Sequence, residues 1–435
     1  MRNYLIRNGE KLIIFNPETY DIHVCHNEEA EATLMEDSPT DAKMVCPQAE
    51  YCGVLDIQAA NICMCETCNL ACSYCFFHSG TFDKTGGKMI SLETLIKTYE
   101  KLAANSQSGL KSIGFYGGEP LLNFAVIRDF VNYLKAHVDY SISFGVITNG
   151  TLLTQEMVEF FNENRFYVSI SLDGTKKYND MCRISKNGKS VFDTVMEKLK
   201  LLKNKRFLLS SQSTLSNCFF REYQKGTINS YFDTFYSAGF DNIIPVTADL
   251  KEGYTEDEID RMTAFFEDVV DYSFEALLHD ETKYYPPVFV AKMIRNLAAK
   301  RYEGECQAGS KYVFVTVDGD IFPCQMHYMC DVAQMNHGCE ITAIKRRVSR
   351  CEIAECQECF SKNICAMWCP GGSLVLNGAE DSVIPARCVA QKALLKEIII
   401  KLVEFRNNKD KWDVFVKNLV DFSNHYSVAE YLDGC

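Results

Sequence analysis

The chain has 435 residues, 47% hydrophobic and 24% charged. That is an ordinary globular balance over a length that suits two or three packed units. No apolar run reaches membrane-spanning length, and a net charge of -13 argues against a nucleic-acid partner. Met1-Arg2-Asn3-Tyr4-Leu5 leads into charged residues rather than a signal-peptide core, so the expected location is the cytoplasm. There are 21 cysteines. Disulfides are rare in a reducing compartment, so closely spaced cysteines read as metal ligands.

Residues 1–52 predict a short strand-rich module. Tyr4-Leu5-Ile6-Arg7 and Lys11-Leu12-Ile13-Ile14-Phe15 flank Asn8-Gly9, a hairpin turn signal. A third strand is expected at 20–24 and an acidic helical piece at 28–34. Cys25, Cys46 and Cys52 have no partner at ligand spacing and read as packing or free thiols.

Residues 53–285 alternate strand and helix. Strands are predicted at 54–60, 112–116, 142–148, 167–172, 207–211 and 242–246. Helices fall between them at 91–104, 124–134, 155–162 and 191–202, with Ser91 and Thr154 as N-caps. This alternation implies a parallel sheet, here a partial (β/α)6 TIM barrel, with chemistry at the C-terminal ends of the strands.

Polar motifs fall at those ends. After the first strand comes Cys68-Asn69-Leu70-Ala71-Cys72-Ser73-Tyr74-Cys75. Three thiolates on a four-iron cluster would leave one iron open to a substrate, whereas a structural zinc site wants four ligands. After the second comes Gly117-Gly118-Glu119-Pro120, where glycine permits close backbone approach and Glu119 can accept from an ammonium group. The third ends in Thr148-Asn149-Gly150-Thr151. On the fourth, Ser169, Ser171 and Asp173 alternate onto one face, expected to be the barrel interior. Arg183 follows, a carboxylate clamp or a surface salt bridge.

Residues 250–305 predict bridging helices, at 255–270 and 288–299, without evident chemistry. A hairpin at 313–317 and 321–322, turned by Asp318-Gly319, would present Cys324. Cys306 precedes it; Cys356, Cys359, Cys365, Cys369 and Cys388 follow. An amphipathic helix is expected at 392–405, within a helical tail over 391–435 that ends in an inert Cys435.

These motifs resemble the radical S-adenosylmethionine enzymes. The C-x3-C-x2-C loop, the GGEP segment and the TNG turn match that family. The seven-cysteine pattern C-x12-G-x4-C, then C-x2-C-x5-C-x3-C and a last cysteine, resembles its SPASM extension, here at 286–390. The resemblance covers roughly residues 53–390. It implies S-adenosylmethionine and three [4Fe-4S] clusters. Cys68, Cys72 and Cys75 would hold the barrel cluster. Gly117, Gly118 and Glu119 would take the methionine amino group, Thr148 and Asn149 would line the pocket, and Tyr74 would lie beside the adenine. Ser171, Asp173 and Arg183 would complete the cofactor site. Cys356, Cys359, Cys365 and Cys388 would hold one auxiliary cluster, and Cys306, Cys324 and Cys369 the other. That second set is one ligand short; Cys330, Cys339 or Cys351 could fill the position, or a substrate thiolate could.

The activity implied is peptide maturation: reductive cleavage of the cofactor, hydrogen abstraction from a peptide carbon, and coupling to a substrate cysteine sulfur, as in sactipeptide and ranthipeptide enzymes. The N-terminal module resembles a reduced peptide-recognition element, with a simple barrel cap as the alternative. Expected partners are a precursor peptide with its leader and a flavodoxin or ferredoxin, with no nucleic acid and no membrane. Carbon–carbon crosslinking is the nearest alternative. Anaerobic sulfatase maturation is less favoured: that subgroup has an acidic base after the second SPASM cysteine, where Gln325 stands here. His327 could serve as base in its place. A cluster-bearing or zinc-bearing binding scaffold is the non-enzyme alternative.

Overall fold

The computed structural model describes residues 3–9, 11–25, 56–82, 87–279, 286–337, 340–341 and 348–426. The predicted acidic helix at 28–34 lies outside this set, as do Cys46, Cys52, Cys339 and Cys435.

Strand β1 (Tyr4–Asn8) turns through Gly9, at φ +60°, into β2 (Lys11–Phe15), and β3 (Ile22–Cys25) pairs with β2 to complete an antiparallel sheet. Alternation sends Ile6, Ile13 and Phe15 into the main core, while Leu12, Ile14 and Cys25 form a small cluster on the other face. The sheet docks on the C-terminal cysteine-rich region. The Tyr4 ring stacks on Phe360 at 4.0 Å, and buried Asn363 donates through Nδ2 to the Pro17 carbonyl at 2.9 Å.

The barrel strands are β4 (Ala59–Cys63), β5 (Ser112–Tyr116), β6 (Ser143–Thr148), β7 (Tyr167–Ile170), β8 (Leu209–Leu215) and β9 (Asn242–Thr247). Each is parallel to the next. Three strands differ in extent from the sequence expectation. β4 starts later and runs toward fully buried Cys63, Met64 and Cys65. β8 extends to Leu215 because Ser210, Ser211 and Ser213 are buried as part of it; their polarity hid them from a hydrophobic pattern. β7 stops at Ile170, so Ser171 and Asp173 lie in the loop beyond rather than on a strand face.

The predicted C-terminal hairpin forms, and it extends the barrel sheet. Strand β10 (Tyr312–Val315) pairs parallel with β4 and antiparallel with β11 (Ile321–Phe322). The sheet therefore runs β11-β10-β4-β5-β6-β7-β8-β9. All four residues of β10 are buried, which suits a strand closing the open edge of β4.

Ser91 and Thr154 cap their helices as expected, each accepting from a backbone N–H of the first turn. Thr255 and Glu258 form a capping box at the start of the helix Glu256–Ala276. That helix packs on Pro385–Arg406, which corrects the amphipathic helix expected at 392–405. Leu394, Leu395, Ile398, Ile399 and Ile400 are all buried, so more than one side of it is covered. Among the described residues no helix is long and apolar enough to cross a membrane.

Asn363→Ala would leave the Pro17 carbonyl without its buried donor. Chemical denaturation should show a loss of about 1–3 kcal/mol; an unchanged midpoint would mean the contact does not anchor the N-terminal sheet.

Candidate cofactor and cluster sites

The cysteine loop leaves the head of β4 and is held from two sides. On one side, Ala71 N donates to the Ile184 carbonyl at 2.8 Å and Ser73 N to Cys182 at 2.9 Å. On the other, Gly118 N donates to Cys65 O and Glu119 N to Thr67 O, both at 2.9 Å. Glycine is required at that second seam. A Cβ on residue 118 would stand 1.9 Å from the Thr67 oxygen, and one on Gly80 would stand 2.4 Å from the Gly118 Cα. Gly117 has φ +130° as well. Within the loop, Leu70 N–H points at the Cys68 sulfur (3.4 Å) and Ser79 N–H at the Cys75 sulfur (3.2 Å). Backbone donors aimed at sulfur suit thiolates that carry an iron–sulfur cluster.

Glu119 sits where the ends of β5 and β6 meet, and it is 1% exposed. Its Oε1 accepts from the Thr148 hydroxyl at 2.6 Å and from Leu121 N at 3.0 Å; its Oε2 accepts from Asn149 N at 2.8 Å. Burial pushes its pKa up to about 7, against the pull of those donors. The sequence expectation that Glu119 receives an ammonium group thus competes with three donors already bound to it. Asn149 continues the network: its Nδ2 donates to Asn69 Oδ1 at 2.8 Å, and Asn69 Nδ2 donates to the Thr151 hydroxyl at 2.8 Å. Asn69 was not singled out in the sequence, although it lies inside the cysteine motif.

Tyr74, Asp173 and Arg183 come together. Arg183 binds Asp173 through two bonds, Nε to Oδ2 at 2.8 Å and Nη2 to Oδ1 at 2.9 Å. The Tyr74 hydroxyl donates to the same carboxylate, and Thr214 N reaches it at 2.8 Å. The guanidinium also lies 5.6 Å from the Tyr74 ring centre. Arg183 is 7% exposed, so the surface salt bridge considered for it is excluded; it is one half of a buried pair. Ser171 is half-buried and donates its N–H to Thr148 O at 2.9 Å.

The C-terminal cysteines fall into two groups. Cys324 precedes the short helix Gln325–Met329, and Cys369 caps Pro370–Asn377, its sulfur accepting from Gly372 N at 3.3 Å. Gly371 and Gly372 bring the two together: a Cβ on Gly371 would stand 3.0 Å from the Cys324 sulfur, and one on Gly372 3.4 Å from the Cys369 sulfur. Arg387 bonds to Cys369 and, through Nε and Nη2, to Asp249 at 2.9 and 2.5 Å. Cys306 is exposed. It stands two residues ahead of Ala308, which packs with Tyr312 and Cys324. The Cys324 sulfur lies 3.0 Å from His327 Nδ1, and His327 Nε2 meets Glu380 Oε1.

In the second group, burial pushes the Cys356 thiol up to about 12, and the neighbouring Cys365, Cys388 and Cys359 add to the shift. Cys388 is likewise raised to about 11. Of the candidates for a missing ligand, Cys330 is half-buried, Cys351 is disulfide-bonded and Cys339 lies outside the described residues. Among the described residues no three His, Cys, Asp or Glu side chains converge on a single metal ion.

Two outcomes test this arrangement. Gly118→Ala should lower bound iron by about four per chain, since it drives the cysteine loop off the β5 turn; full iron retention would show that the seam does not hold the loop. Iron loading should also improve between about pH 6.5 and 9, because ligand thiols must lose their protons. Burial raises Cys68 and Cys356 to about 12 in the metal-free chain. Stability from those protonated thiols is complete below their ordinary pKa of 9.0 and is lost as pH climbs toward 12. A metal-free chain whose stability is flat over that range would contradict the shifts.

The family description "Radical SAM superfamily" matches residues 62–215, from the end of β4 to the end of β8. A cysteine-type anaerobic sulfatase-maturating enzyme of Clostridium novyi (strain NT) is 36% identical over 143 residues, 32% of this chain and 38% of that enzyme. The chain thus spans well under half the length of that relative. A cysteine-type anaerobic sulfatase-maturating enzyme of Clostridium perfringens (strain ATCC 13124) is 23% identical over 366 residues, 78% of this chain and 96% of that enzyme. The solved structure of native anSMEcpe with bound AdoMet and Cp18Cys peptide superposes with TM-score 0.64 at 19% identity, over 80% of this chain and 99% of that one. At that identity the likeness is one of fold. The cysteine loop thus sits at the head of a parallel barrel whose strands carry the match, and residues 62–215 form a radical SAM superfamily domain.

Proposed function

We propose that the chain matures a ribosomally made peptide, joining a substrate cysteine sulfur to a carbon of another residue. A relative solved with a bound peptide supports the peptide part of this reading. When bound, the barrel cluster and S-adenosylmethionine supply one-electron chemistry strong enough to remove hydrogen from an unreactive carbon. In this reading Cys68, Cys72 and Cys75 hold that cluster, while Gly117, Gly118, Thr148, Asn149, Ser171 and Arg183 line the cofactor site. Glu119 keeps two strand ends in register, and Asp173 fixes the aim of Arg183 and Tyr74. The crosslink forms one carbon–sulfur bond. The carbon loses a hydrogen atom, the sulfur loses a proton, and the leftover electron would go to clusters held at the auxiliary sites. Those sites are Cys306, Cys324 and Cys369, and Cys356, Cys359, Cys365 and Cys388, for three clusters in all. Flavodoxin or ferredoxin is the proposed reductant, and the N-terminal sheet the proposed contact for the leader.

The observation that carries the thioether reading is the neutral chain at Gln325. Asn61 Nδ2 donates to the Tyr312 hydroxyl at 2.7 Å, and that hydroxyl donates to Gln325 Oε1 at 3.2 Å. An amide therefore stands where sulfatase maturation wants a carboxylate base. His327 does not replace it. Both its ring nitrogens are engaged, and it is 1% exposed. Glu380 and Asp249, the nearby carboxylates, are bound to His327 and Arg387. Bound carboxylates and an engaged imidazole favour a nucleophile that gives up its proton readily, and a thiol does.

Sulfatase maturation is the second reading, favoured by the relatives' names. Anaerobic turnover of a candidate precursor separates the two by mass spectrometry. A product two hydrogens lighter whose cysteine resists alkylation supports the thioether; a hydrazide-reactive aldehyde at that cysteine overturns it. Serine in place of the substrate cysteine should abolish the crosslink, and a crosslink that survives means carbon–carbon coupling. Iron should be about twelve per chain, falling to about eight when Cys68, Cys72 and Cys75 are all alanine; zinc with little iron would remove the mechanism.

A further inference from the structure

The side chains around Cys324 contain a linked set that the reaction as described does not use. The Cys324 sulfur lies 3.0 Å from His327 Nδ1, and His327 Nε2 meets Glu380. All three belong to one built corner. Gly371 clears the space, since a Cβ there would stand 3.0 Å from the Cys324 sulfur and 3.4 Å from His327 Cε1. Glu380 is aimed by the turn that ends the helix Pro370–Asn377. Gly378 takes the left-handed conformation at φ +76°, and Asn377 Nδ2 ties the turn at Ser382 Oγ (2.9 Å) and the Val383 carbonyl (3.1 Å). The helix that starts at Cys369 therefore finishes by fixing the imidazole that faces Cys324.

The proton positions follow from the partners. A cysteine that ligates iron has lost its proton, and its sulfur can only accept. His327 Nδ1 must then be the donor, and Nε2 shares a proton with Glu380 Oε1. A carboxylate thus orients the imidazole, as it does for a metal-ligating histidine, but here the ring gives an N–H to the ligand sulfur rather than a lone pair to the metal. Water does not compete at a histidine that is 1% exposed. Other cluster cysteines meet different partners. Backbone N–H groups point at Cys68, Cys75 and Cys369, and the Ser361 hydroxyl lies near Cys359.

We propose that His327 is a positioning residue for Cys324: a hydrogen-bond donor to the ligand sulfur, oriented by Glu380, that raises the reduction potential of the auxiliary site formed with Cys306 and Cys369. A donor to a ligand sulfur stabilises the more negative, reduced form of a cluster. The site that must take up the substrate's electron is thereby the better acceptor. This inference rests on the reading that these cysteines hold a cluster.

The test uses the full chain with Cys68, Cys72 and Cys75 replaced by alanine, so that only auxiliary iron is observed. Iron content is measured first, and midpoint potentials then come from redox titrations followed by electron paramagnetic resonance. About eight irons before any further change support the underlying reading; a chain without that iron overturns the reading and this inference together. His327→Phe should keep its iron and shift one of the two auxiliary potentials to a more negative value. His327→Asn, whose amide nitrogen takes the place of Nδ1, should recover at least half of that shift. Two unmoved potentials in His327→Phe overturn the proposal, and so does an equal shift in His327→Asn. If His327→Phe sheds iron, retention in His327→Asn supports the donor, and loss in both overturns it.

Discussion

Glu119 has almost no contact with water, yet it accepts from Thr148, Asn149 and Leu121. A buried carboxylate is costly unless donors surround it. Here the donors come from the ends of two neighbouring strands, so meeting that cost also fixes how β5 and β6 finish. The cysteine loop inherits its position from this joint. Glu119 N and Gly118 N bind the loop's entry at Thr67 and Cys65, and Asn149 reaches across to Asn69. Three loops proposed to line the cofactor site are thus one hydrogen-bonded body, and none can shift without the others.

The same economy appears at Asp173. It binds Arg183 twice and also accepts from Tyr74 and Thr214. Two residues that would contact the cofactor are thereby held by a third that need not. A preset arginine loses little freedom when a carboxylate arrives, which is the usual advantage of a preorganised site.

Much of this was legible in the sequence, and the limits have physical causes. The strand at 112–116 and the start of the strand at 242 read correctly because apolar residues filled them. The serines of β8 misled, since a barrel interior buries polar side chains that a hydrophobic pattern counts as exposed. The cysteine motifs announced themselves through spacing. Tyr74 and Asp173, 99 positions apart, carry no mutual signal in a single chain. His327 and Glu380 are separated by 53 positions and meet only because the turn after Asn377 points one at the other. Arg183 was recognised, but whether its partner was buried or at the surface depends on tertiary packing, which periodicity does not encode.

The pairing of β10 with β4 bears on how the protein is made. Ala59 and Tyr312 are hydrogen-bonding neighbours in the finished sheet, yet a ribosome synthesises one long before the other. Until residue 312 has emerged, β4 is an open edge with its amides unpaired, just ahead of three thiols. Long-range pairings of this kind form late, and open edges invite association with other chains. The nascent barrel is therefore an unfinished vessel with three thiols at its rim, and it is the C-terminal half of the chain that closes it.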